Sequence, residues 1–416
     1  MSKNNKNFFR TKNSWSEIKD QLLGCYLRPY FQKVLMNYKP ICYVDCFAGQ
    51  GKFDDGKPGS PLIALEARDK CLDSTKRKDI NNAIKIFLIE PNHTEKLKEN
   101  VNIYNNKCGI PVIISGKYEE EIQDILLDKQ GNNVFLYIDP YGIRALDYSL
   151  FKIFGDYGFH SFELLINFNS FGFFRDACRA MGVSYANDEA LSDLDDLVEY
   201  DPTEVSFSQQ STELLSKIAG GEYWKDIVSQ YNRKEINGYR AERMFSTEYK
   251  SRLKKIFNYV LDLPIRLKPG HRPKYRMIHA CNHEDGCFLM AENMQRRKDE
   301  LFIKIQQKQQ GTLLNLLTDM SSTAENELIS VEEINKLVIG YCLQVNKEIN
   351  LTKFLAGFLN QYGLICDFGI LHSVLSGLEK CGLIKIVRIP ETTLTGKESS
   401  FWTEKGSRQV FIRRMK

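Results

Sequence analysis

The chain has 416 residues, enough for two or three domains of ordinary size. Hydrophobic residues make up 43% and charged residues 26%, a globular balance that excludes a disordered or fibrous protein, and the net charge is only +4. The eleven cysteines include no C-x-x-C, and we expect their thiols to be reduced. No apolar run approaches the ~18 residues of a membrane span, and the N-terminus lacks a signal-peptide core. We therefore expect a cytoplasmic protein without membrane association.

Residues 1–40 are predicted to be an N-terminal helical extension. Ile18, Leu22, Tyr26 and Tyr30 recur at near-helical spacing after Ser14, which is a suitable helix cap. This pattern predicts an amphipathic helix that leads into the first strand.

Residues 41–172 are predicted to form an α/β core with a doubly wound, Rossmann-like parallel sheet. Short apolar runs alternate with helical stretches of ten to fifteen residues. The runs are continuous rather than alternating, which indicates strands buried on both faces. They occupy residues 41–47, 84–90, 111–115, 133–139 and 162–168.

Residues 173–240 lose this regularity and are predicted to be an acidic helical insertion, with eight acids and no Lys or Arg over 188–204. Residues 241–311 are predicted to complete the core. They read as a basic helix over 242–261, an antiparallel hairpin that closes the sheet, and a helix over 286–309.

Residues 312–416 are predicted to form a winged-helix-like domain. Short helical patterns are followed by two strands that flank a polar, basic turn, and this is the set of elements that a winged helix requires. The predicted helices cover 312–319, 330–344, 351–361 and 369–380.

A glycine-containing loop, DCFAGQG at 45–51, directly follows the first strand. Gly49 and Gly51 allow a sharp turn and a close approach to a ligand. The spacing is not G-x-G-x-x-G, and the next helix is delayed until Ser60-Pro61. A nucleoside ligand without a pyrophosphate therefore fits better, and a nicotinamide-dependent oxidoreductase is disfavoured.

Glu90 ends the second strand, where a doubly wound fold binds the hydroxyls of a ribose. A carboxylate accepts both hydrogen bonds of such a diol. Acids also open helices commonly, so a capping role for Glu90 is the alternative.

The tetrapeptide Asp139-Pro140-Tyr141-Gly142 ends the fourth strand. Asp139 can accept a hydrogen bond from an amine, a carbonyl of Asp139 or Pro140 can accept a second, and Tyr141 offers a face on which a base can stack. An amino group held in this way directs its lone pair at an incoming methyl group. A simple turn at the end of a strand is the alternative interpretation.

In combination these sites resemble class I S-adenosylmethionine-dependent methyltransferases. The DCFAGQG loop is similar to the cofactor loop of nucleic-acid methyltransferases, and DPYG is similar to the D-P-P-Y element of amino-methylating enzymes and to the D-P-F-G of guanine-N2 tRNA methyltransferases. The segments YVDCFAGQGKFDDGKPGSPLIALE, FLIEPN, FLYIDPYG, LLINFNSFGFFR, EYKSRL and YRMIHACNHEDG, in this order, resemble the three-Cys-motif partner protein family (TcmP). These are bacterial methyltransferase-like proteins encoded near a radical-SAM-like protein, and the resemblance covers most of residues 14–300.

The resemblance implies S-adenosyl-L-methionine as the cofactor and a three-Cys-motif radical-SAM-like protein as a possible partner. It implies that Asp139, Pro140 and Tyr141 line the catalytic pocket, although Tyr141 stands where D-P-P-Y has its second proline. The third strand ends in Ser115-Gly116-Lys117 instead of an acidic element. The residues that we expect to bind the cofactor are Asp45, Phe47, Gly49, Gly51, Glu90 and Ser115.

Two basic segments suggest a polyanionic partner, with ten bases against two acids over 243–276 and eight against three over 381–416. We expect DNA or RNA to contact them, although solvated faces would give the same pattern. The residues predicted to bind nucleic acid are Arg252, Lys255, Arg272, Lys274, Arg276, Arg388 and Lys397.

The leading hypothesis is a methyltransferase that acts on an exocyclic amino group of a nucleic-acid base. The alternative is a catalytically silent, methyltransferase-like protein that binds nucleic acid or a partner. His279, Cys281, His283 and Cys287 form a conceivable metal set, but their spacing matches no common zinc site, so we predict no metal.

Overall fold

The computed structural model describes residues 12, 14–75, 83–104, 108–140, 142–185, 188, 208–265, 275–309, 329–345, 347–393, 395–404 and 406–415. Several predictions fall outside these residues. They are Tyr141, Arg272, Lys274, the helix over 312–319 and, apart from Asp188, the acidic stretch.

The first part of the chain alternates strands and helices, as predicted. In order, the elements are α1 (Ser14–Val34), β1 (Ile41–Asp45), α2 (Ser60–Asp73), β2 (Ile84–Ile89), α3 (Thr94–Val101), β3 (Val112–Ile114), α4 (Tyr118–Leu127), β4 (Asn133–Ile138), α5 (Tyr148–Gly155), β5 (Ser161–Phe168) and α6 (Ser170–Ala180).

Three helices, a strand pair and a long helix complete this part of the protein. They are α7 (Gln209–Ala219), α8 (Tyr223–Asn232), α9 (Gly238–Leu253), β6 (Tyr259–Ile265), β7 (Tyr275–Cys281) and α10 (Glu284–Gln309). Among the helices of the described ranges, none is long and apolar enough to cross a membrane.

The seven strands form one sheet in the order β3-β2-β1-β4-β5-β7-β6. Strands β1 to β5 are parallel, and β7 runs antiparallel to both of its neighbours. Every residue of β1 and β4 is buried, because helices cover both faces of the sheet. The strand order confirms the predicted doubly wound, Rossmann-like α/β class.

The two faces of the sheet carry separate hydrophobic clusters. One cluster includes buried side chains of α4 to α9, and the other includes those of α1, α2, α3 and α10. Helix α1 packs on α2 and α10 and runs opposite to β1, from the carboxyl edge of the sheet at Lys12 to the amino edge at Asn37. The start of α1 therefore lies at the edge where the predicted sites are.

The predicted basic helix over 242–261 is shorter than expected. Helix α9 ends at Leu253, and Tyr259, Val260 and Leu261 belong to β6. These residues have high strand propensity, and β7 offers them a partner, so pairing overrides the helical periodicity. The predicted antiparallel hairpin is the β6–β7 pair.

The C-terminal elements are α11 (Val331–Gln344), β8 (Ile349–Asn350), α12 (Leu351–Tyr362), α13 (Phe368–Lys380), β9 (Ile384–Ile389) and β10 (Gln409–Arg414). The strands form a sheet in the order β8-β10-β9, and a third hydrophobic cluster joins it to the helices. The predicted helices over 330–344, 351–361 and 369–380 agree with these elements.

The C-terminal part docks against the outer edge of the large sheet. Asn360 of α12 accepts a hydrogen bond from the backbone N–H of Val260 at 3.0 Å and donates one to the carbonyl of Asn258, also at 3.0 Å. One side chain thereby satisfies two backbone groups at the start of the edge strand β6.

Candidate functional site

The carboxyl ends of β1, β2 and β4 lie side by side, because these strands are neighbours in the sheet. The backbone N–H of Cys46 donates to the Tyr137 carbonyl at 2.9 Å, and that of Ala48 donates to the Ile89 carbonyl at 3.0 Å. The loop after β1 is thus tied to both β4 and β2. The structure brings together the three strand ends that carry the predicted sites.

The loop after β1 needs glycine at two positions. Gly49 and Gly51 have φ angles of +59° and +80°, a region that other residues rarely adopt. A Cβ at Gly51 would lie 3.0 Å from Cδ1 of Leu97, and the Gly51 carbonyl accepts a hydrogen bond from the N–H of Gly59 at 2.8 Å. The loop is therefore folded back over the start of α2.

Asp45 is fully buried at the end of β1. Its Oδ1 accepts a hydrogen bond from the N–H of Phe47 at 3.3 Å, whereas Oδ2 is buried and has no hydrogen-bond partner among the described residues. Burial raises the pKa of Asp45 to about 7, against the hydrogen bonds of Ser60 and of the Phe47 N–H, which lower it, and the negative charges of Asp139 and Asp20 act in the same direction as burial. A cationic ligand beside Asp45 would offset the unfavourable burial of its charge.

Glu90 is also buried, and its carboxylate is bonded to the turn that precedes α3. Its Oε1 accepts hydrogen bonds from the N–H groups of Asn92 and His93 at 2.7 and 2.9 Å. This oxygen therefore orders the turn before Thr94, the first residue of α3. No hydrogen bond joins Oε2 to another described residue, and this oxygen is the one that a ribose hydroxyl can reach.

The other two predicted cofactor residues lie at the rim of the same edge. Phe47 is half-buried and packs on the ring of Tyr118, with 5.5 Å between the ring centroids. Ser115 is exposed, and its Oγ accepts a hydrogen bond from Thr94 at 3.2 Å. Phe47 thus packs the loop after β1 against α4, and Ser115 links the end of β3 to the start of α3.

Asp139 is held by three side chains. Nζ of Lys19 contacts both of its carboxylate oxygens at 2.9 Å, Asn167 donates to Oδ1 at 2.7 Å, and Tyr137 donates to Oδ2 at 3.4 Å. These contacts occupy the four acceptor positions of the carboxylate and neutralise its charge. The predicted role of Asp139 as the direct acceptor of a substrate amine is therefore incomplete as stated. Pro140 is buried next to it.

Helix α1 supplies charged side chains to this edge that the sequence analysis did not identify. The side chain of Lys19 is 6% exposed, and the neighbouring Asp20 forms an ion pair with Lys12. Burial raises the pKa of Asp20 to about 6, against the opposing charge of Lys12. A signal was present in the sequence, because Lys19 lies three and seven residues before Leu22 and Tyr26 and so falls on the buried stripe of α1.

Asn167, near the end of β5, is a further residue that the sequence analysis missed. Its amide nitrogen must face Asp139, because only the NH₂ group can donate to a carboxylate. Its Oδ1 is consequently turned away, and it is buried without a partner among the described residues. A polar residue within the apolar run FELLINF was the available signal. Asn167 thus presents a free acceptor beside Asp139.

Arg276, predicted to bind nucleic acid, is neutralised within the protein. Its guanidinium makes two bonds to Glu242, at 2.8 and 3.2 Å, and one to Asp262 at 2.7 Å. Burial acts to raise the pKa of Asp262, but the charges of Lys250 and Arg276 outweigh it and hold the pKa at about 2. Since Arg276 is committed to two carboxylates, it is not a free phosphate-binding group, and this prediction is corrected.

The other described basic candidates differ in how free they are. Arg252 donates to the Gly220 carbonyl at 3.0 Å and stacks over Tyr223, and Arg388 donates to the Phe401 carbonyl at 3.1 Å. Lys255 and Lys397 are exposed. The exposed lysines can reach a polyanion without breaking an internal contact.

The conceivable metal set does not converge. His279 is buried and bonded through Nε2 to Glu163 at 3.1 Å, Cys287 lies on α10 with its side chain buried in the core, and His283 is exposed. Within the described ranges, no group of three or more His, Cys, Asp or Glu side chains could hold a metal ion.

No family model matches the sequence, and no curated protein matches it. Among solved structures, the chain is similar to the plantazolicin methyltransferase BamL in complex with a triazolic desmethylPZN analog and SAH. The match covers 65% of this chain and 86% of that one, with 10% sequence identity and a TM-score of 0.28. Similarity at this level indicates nothing about the activity of this chain. The comparisons do not support membership in the three-Cys-motif partner protein family.

Proposed function

We propose that the chain is an S-adenosylmethionine-dependent methyltransferase that modifies an exocyclic amino group of a nucleic-acid base. The observation that carries this proposal is the meeting of the glycine loop, Glu90 and Asp139 at one edge of a doubly wound sheet. Folds of this type bind nucleosides at the carboxyl ends of their strands, where the connections diverge.

The donor side of the site fits S-adenosylmethionine. Oδ2 of Asp45 is buried and makes no hydrogen bond within the described part of the chain, and it is suited to the ammonium group of a methionine moiety. Gly49 and Gly51 present backbone where a side chain would stand, and Oε2 of Glu90 suits a ribose. These residues, flanked by Phe47 and Ser115, would hold the cofactor. When bound, it supplies an activated methyl group, which the acceptor nitrogen gains as it loses a proton, while the donor sulfur keeps the electrons of the broken bond.

The acceptor side rests on Asp139, Pro140 and Asn167. The carbonyls at 139 and 140 and the free Oδ1 of Asn167 are acceptors for the two N–H bonds of an amino group. Lys19 holds the Asp139 carboxylate in place between them. Catalysis would consist mainly of orienting the amine, since alignment of reacting groups supplies a large part of a barrier reduction. Tyr141 is proposed to stack the base.

Charge supports a nucleic-acid partner. Arg252 and the exposed Lys255 belong to the first basic segment, and Arg388 and the exposed Lys397 belong to the second. The C-terminal elements follow the order helix, strand, helix, helix, strand, strand, and we propose that they form a winged helix. A radical-SAM-like protein as a second partner also remains a proposal.

Calorimetry with S-adenosylmethionine tests the donor site, and transfer of a tritiated methyl group to total nucleic acid and total protein tests the activity. The Gly51→Ala variant should weaken cofactor binding, because the φ angle of +80° is strained for a residue with a Cβ and Cδ1 of Leu97 would have to move. The matched control is Gly340→Ala, a helical position with open space around it. Nucleoside mass spectrometry then identifies the modified base. Absence of cofactor heat in the unaltered protein would refute the proposal.

A second candidate function is favoured by the saturation of Asp139. If Lys19 permanently occupies the carboxylate, the protein is a catalytically silent scaffold that binds the cofactor or a partner. Asp139→Ala separates the two candidates. An enzyme should lose methyl transfer and keep cofactor heat, whereas a scaffold shows no transfer before or after the substitution.

A further inference from the structure

A cavity of about 610 Å³ lies between the large sheet and the C-terminal part of the chain. Its walls come from α9, the edge strand β6, α10 and α12, so both parts of the protein build it. The volume lies within the range of sites that hold small molecules or single nucleotides.

The charges that line the cavity are predominantly positive. Among the described residues that line it, five cations face two carboxylates, which gives this lining a net charge of +3. The two carboxylates, Glu242 and Asp262, are already paired with Arg276 and Lys250. The cations that line the cavity are Arg243, Lys250, Lys254, Arg276 and Lys298.

Three cations of the cavity remain without a carboxylate. Among the described residues, Arg243, Lys254 and Lys298 have no ion pair, and the ammonium of Lys254 contacts only the carbonyl of Asn360. Partial burial and the charge of Lys250 lower the pKa of Lys254, an effect that a bound anion would reverse. These three side chains are available to phosphate groups.

One end of the cavity adjoins the candidate active site. Arg276 pairs in register with Phe168 on β5, and the residue before Phe168 is Asn167, which contacts Asp139. Tyr239 and Tyr362 also line the cavity and offer aromatic rings beside the cations. Cations that follow a backbone, together with aromatic rings on which bases stack, are typical of grooves for single strands.

We propose that this cavity is a channel for the phosphate backbone of a single-stranded nucleic acid, formed jointly by the sheet and the C-terminal part of the chain. The channel leads the strand to the carboxyl edge of the sheet. That the bound strand is also the substrate rests on the proposed function. Binding of the strand in the channel does not require methyl transfer.

Fluorescence anisotropy with the full-length protein tests the channel. The probes are a labelled 12-nucleotide RNA of mixed sequence, the DNA strand of the same sequence, and its duplex, each measured over a series of salt concentrations. The unaltered protein should bind single strands more tightly than the duplex. In Arg243→Gln and in Lys298→Gln, the slope of log affinity against log salt should fall by about 0.7, the value for one lost phosphate contact on a single strand.

The matched control is Lys152→Gln, an exposed lysine of α5 that does not line the cavity, and its slope should not change. Thermal unfolding confirms that each variant is folded. Unchanged slopes in both channel variants, an equal decrease in the control, or tighter binding of the duplex would overturn the proposal. Strand binding without any heat from S-adenosylmethionine would refute the donor site and leave the channel intact.

Discussion

Substituting Asp45 by asparagine should stabilise the protein at alkaline pH and change its stability much less at acidic pH. Burial raises the pKa of Asp45 from 3.8 to about 7 in the folded protein. Between these two values the folded state keeps a proton that the unfolded state releases. Stability is therefore highest below the lower value and decreases as the pH rises to 7. Asparagine carries no charge at any of these pH values, so the variant should escape this loss.

The size of the effect follows from the shift. A change of about three pKa units corresponds to on the order of 4 kcal/mol. Ionisation of Asp45 has lowered the unfolding free energy of the unaltered protein by about 1.7 kcal/mol at pH 5 and by nearly the full amount at pH 8. The loss at pH 8 therefore exceeds the loss at pH 5 by about 3 kcal/mol. Asp20, whose pKa burial raises to about 6, titrates in both proteins, and its charge contributes to the raised pKa of Asp45.

Urea unfolding at pH 5 and pH 8, followed by the fluorescence of the buried Trp224, measures this difference. The gain in unfolding free energy from Asp45→Asn should be larger at pH 8 by about 3 kcal/mol. Asp54→Asn, at an exposed position of the same loop, is the matched control and should show no such change. If the stabilities of the unaltered protein and the Asp45 variant follow the same pH dependence, the reasoning about the buried carboxyl is wrong.

Three further substitutions test the neighbouring contacts. Lys19→Met should destabilise the protein by about 3 kcal/mol in urea unfolding, because Asp139 loses its cation, and the additional change Asp139→Asn should restore most of the loss. Asn167→Ala should lower the rate of methyl transfer by about tenfold, which is the effect of one lost hydrogen bond. The heat of S-adenosylmethionine binding should not change. An unchanged rate of transfer would exclude Oδ1 of Asn167 as an acceptor of the substrate amine. Arg276→Ala should cost about 3 kcal/mol, since Glu242 loses its partner, and a cost under 1 kcal/mol would show that this pair contributes little.

The fold could be predicted from the sequence because its signals are local. The strands β1 and β4 are buried along their whole length, so their sequences are continuously apolar and their ends are visible. Parallel strands that alternate with helices then place Glu90 and Asp139 at one edge of a sheet. The error in α9 arose where the partner strand lies farther along the chain. Periodicity alone could not show that Val260 pairs with β7.

The charged contacts of the site could not be predicted, because they join residues that are distant in sequence. Lys19 and Asp139 are 120 positions apart, and Arg276 and Glu242 are 34 apart. Counting charges along the chain assigns Arg276 to a basic surface, whereas packing turns it toward two acids. Which cations remain available depends on such pairings, and these follow only from the tertiary structure.

The contact of Asn360 with the start of β6 has a practical consequence for anyone who shortens this protein. A protein truncated after α10 would lack α12, which packs against the edge strand β6. The backbone N–H of Val260 would then lose its hydrogen bond to Asn360. Exposed strand edges of this kind recruit other chains, and Pro264 blocks pairing only near the far end of β6. We therefore expect the isolated N-terminal part to self-associate, and an Asn360→Ala change in the whole protein to be a mild form of the same defect.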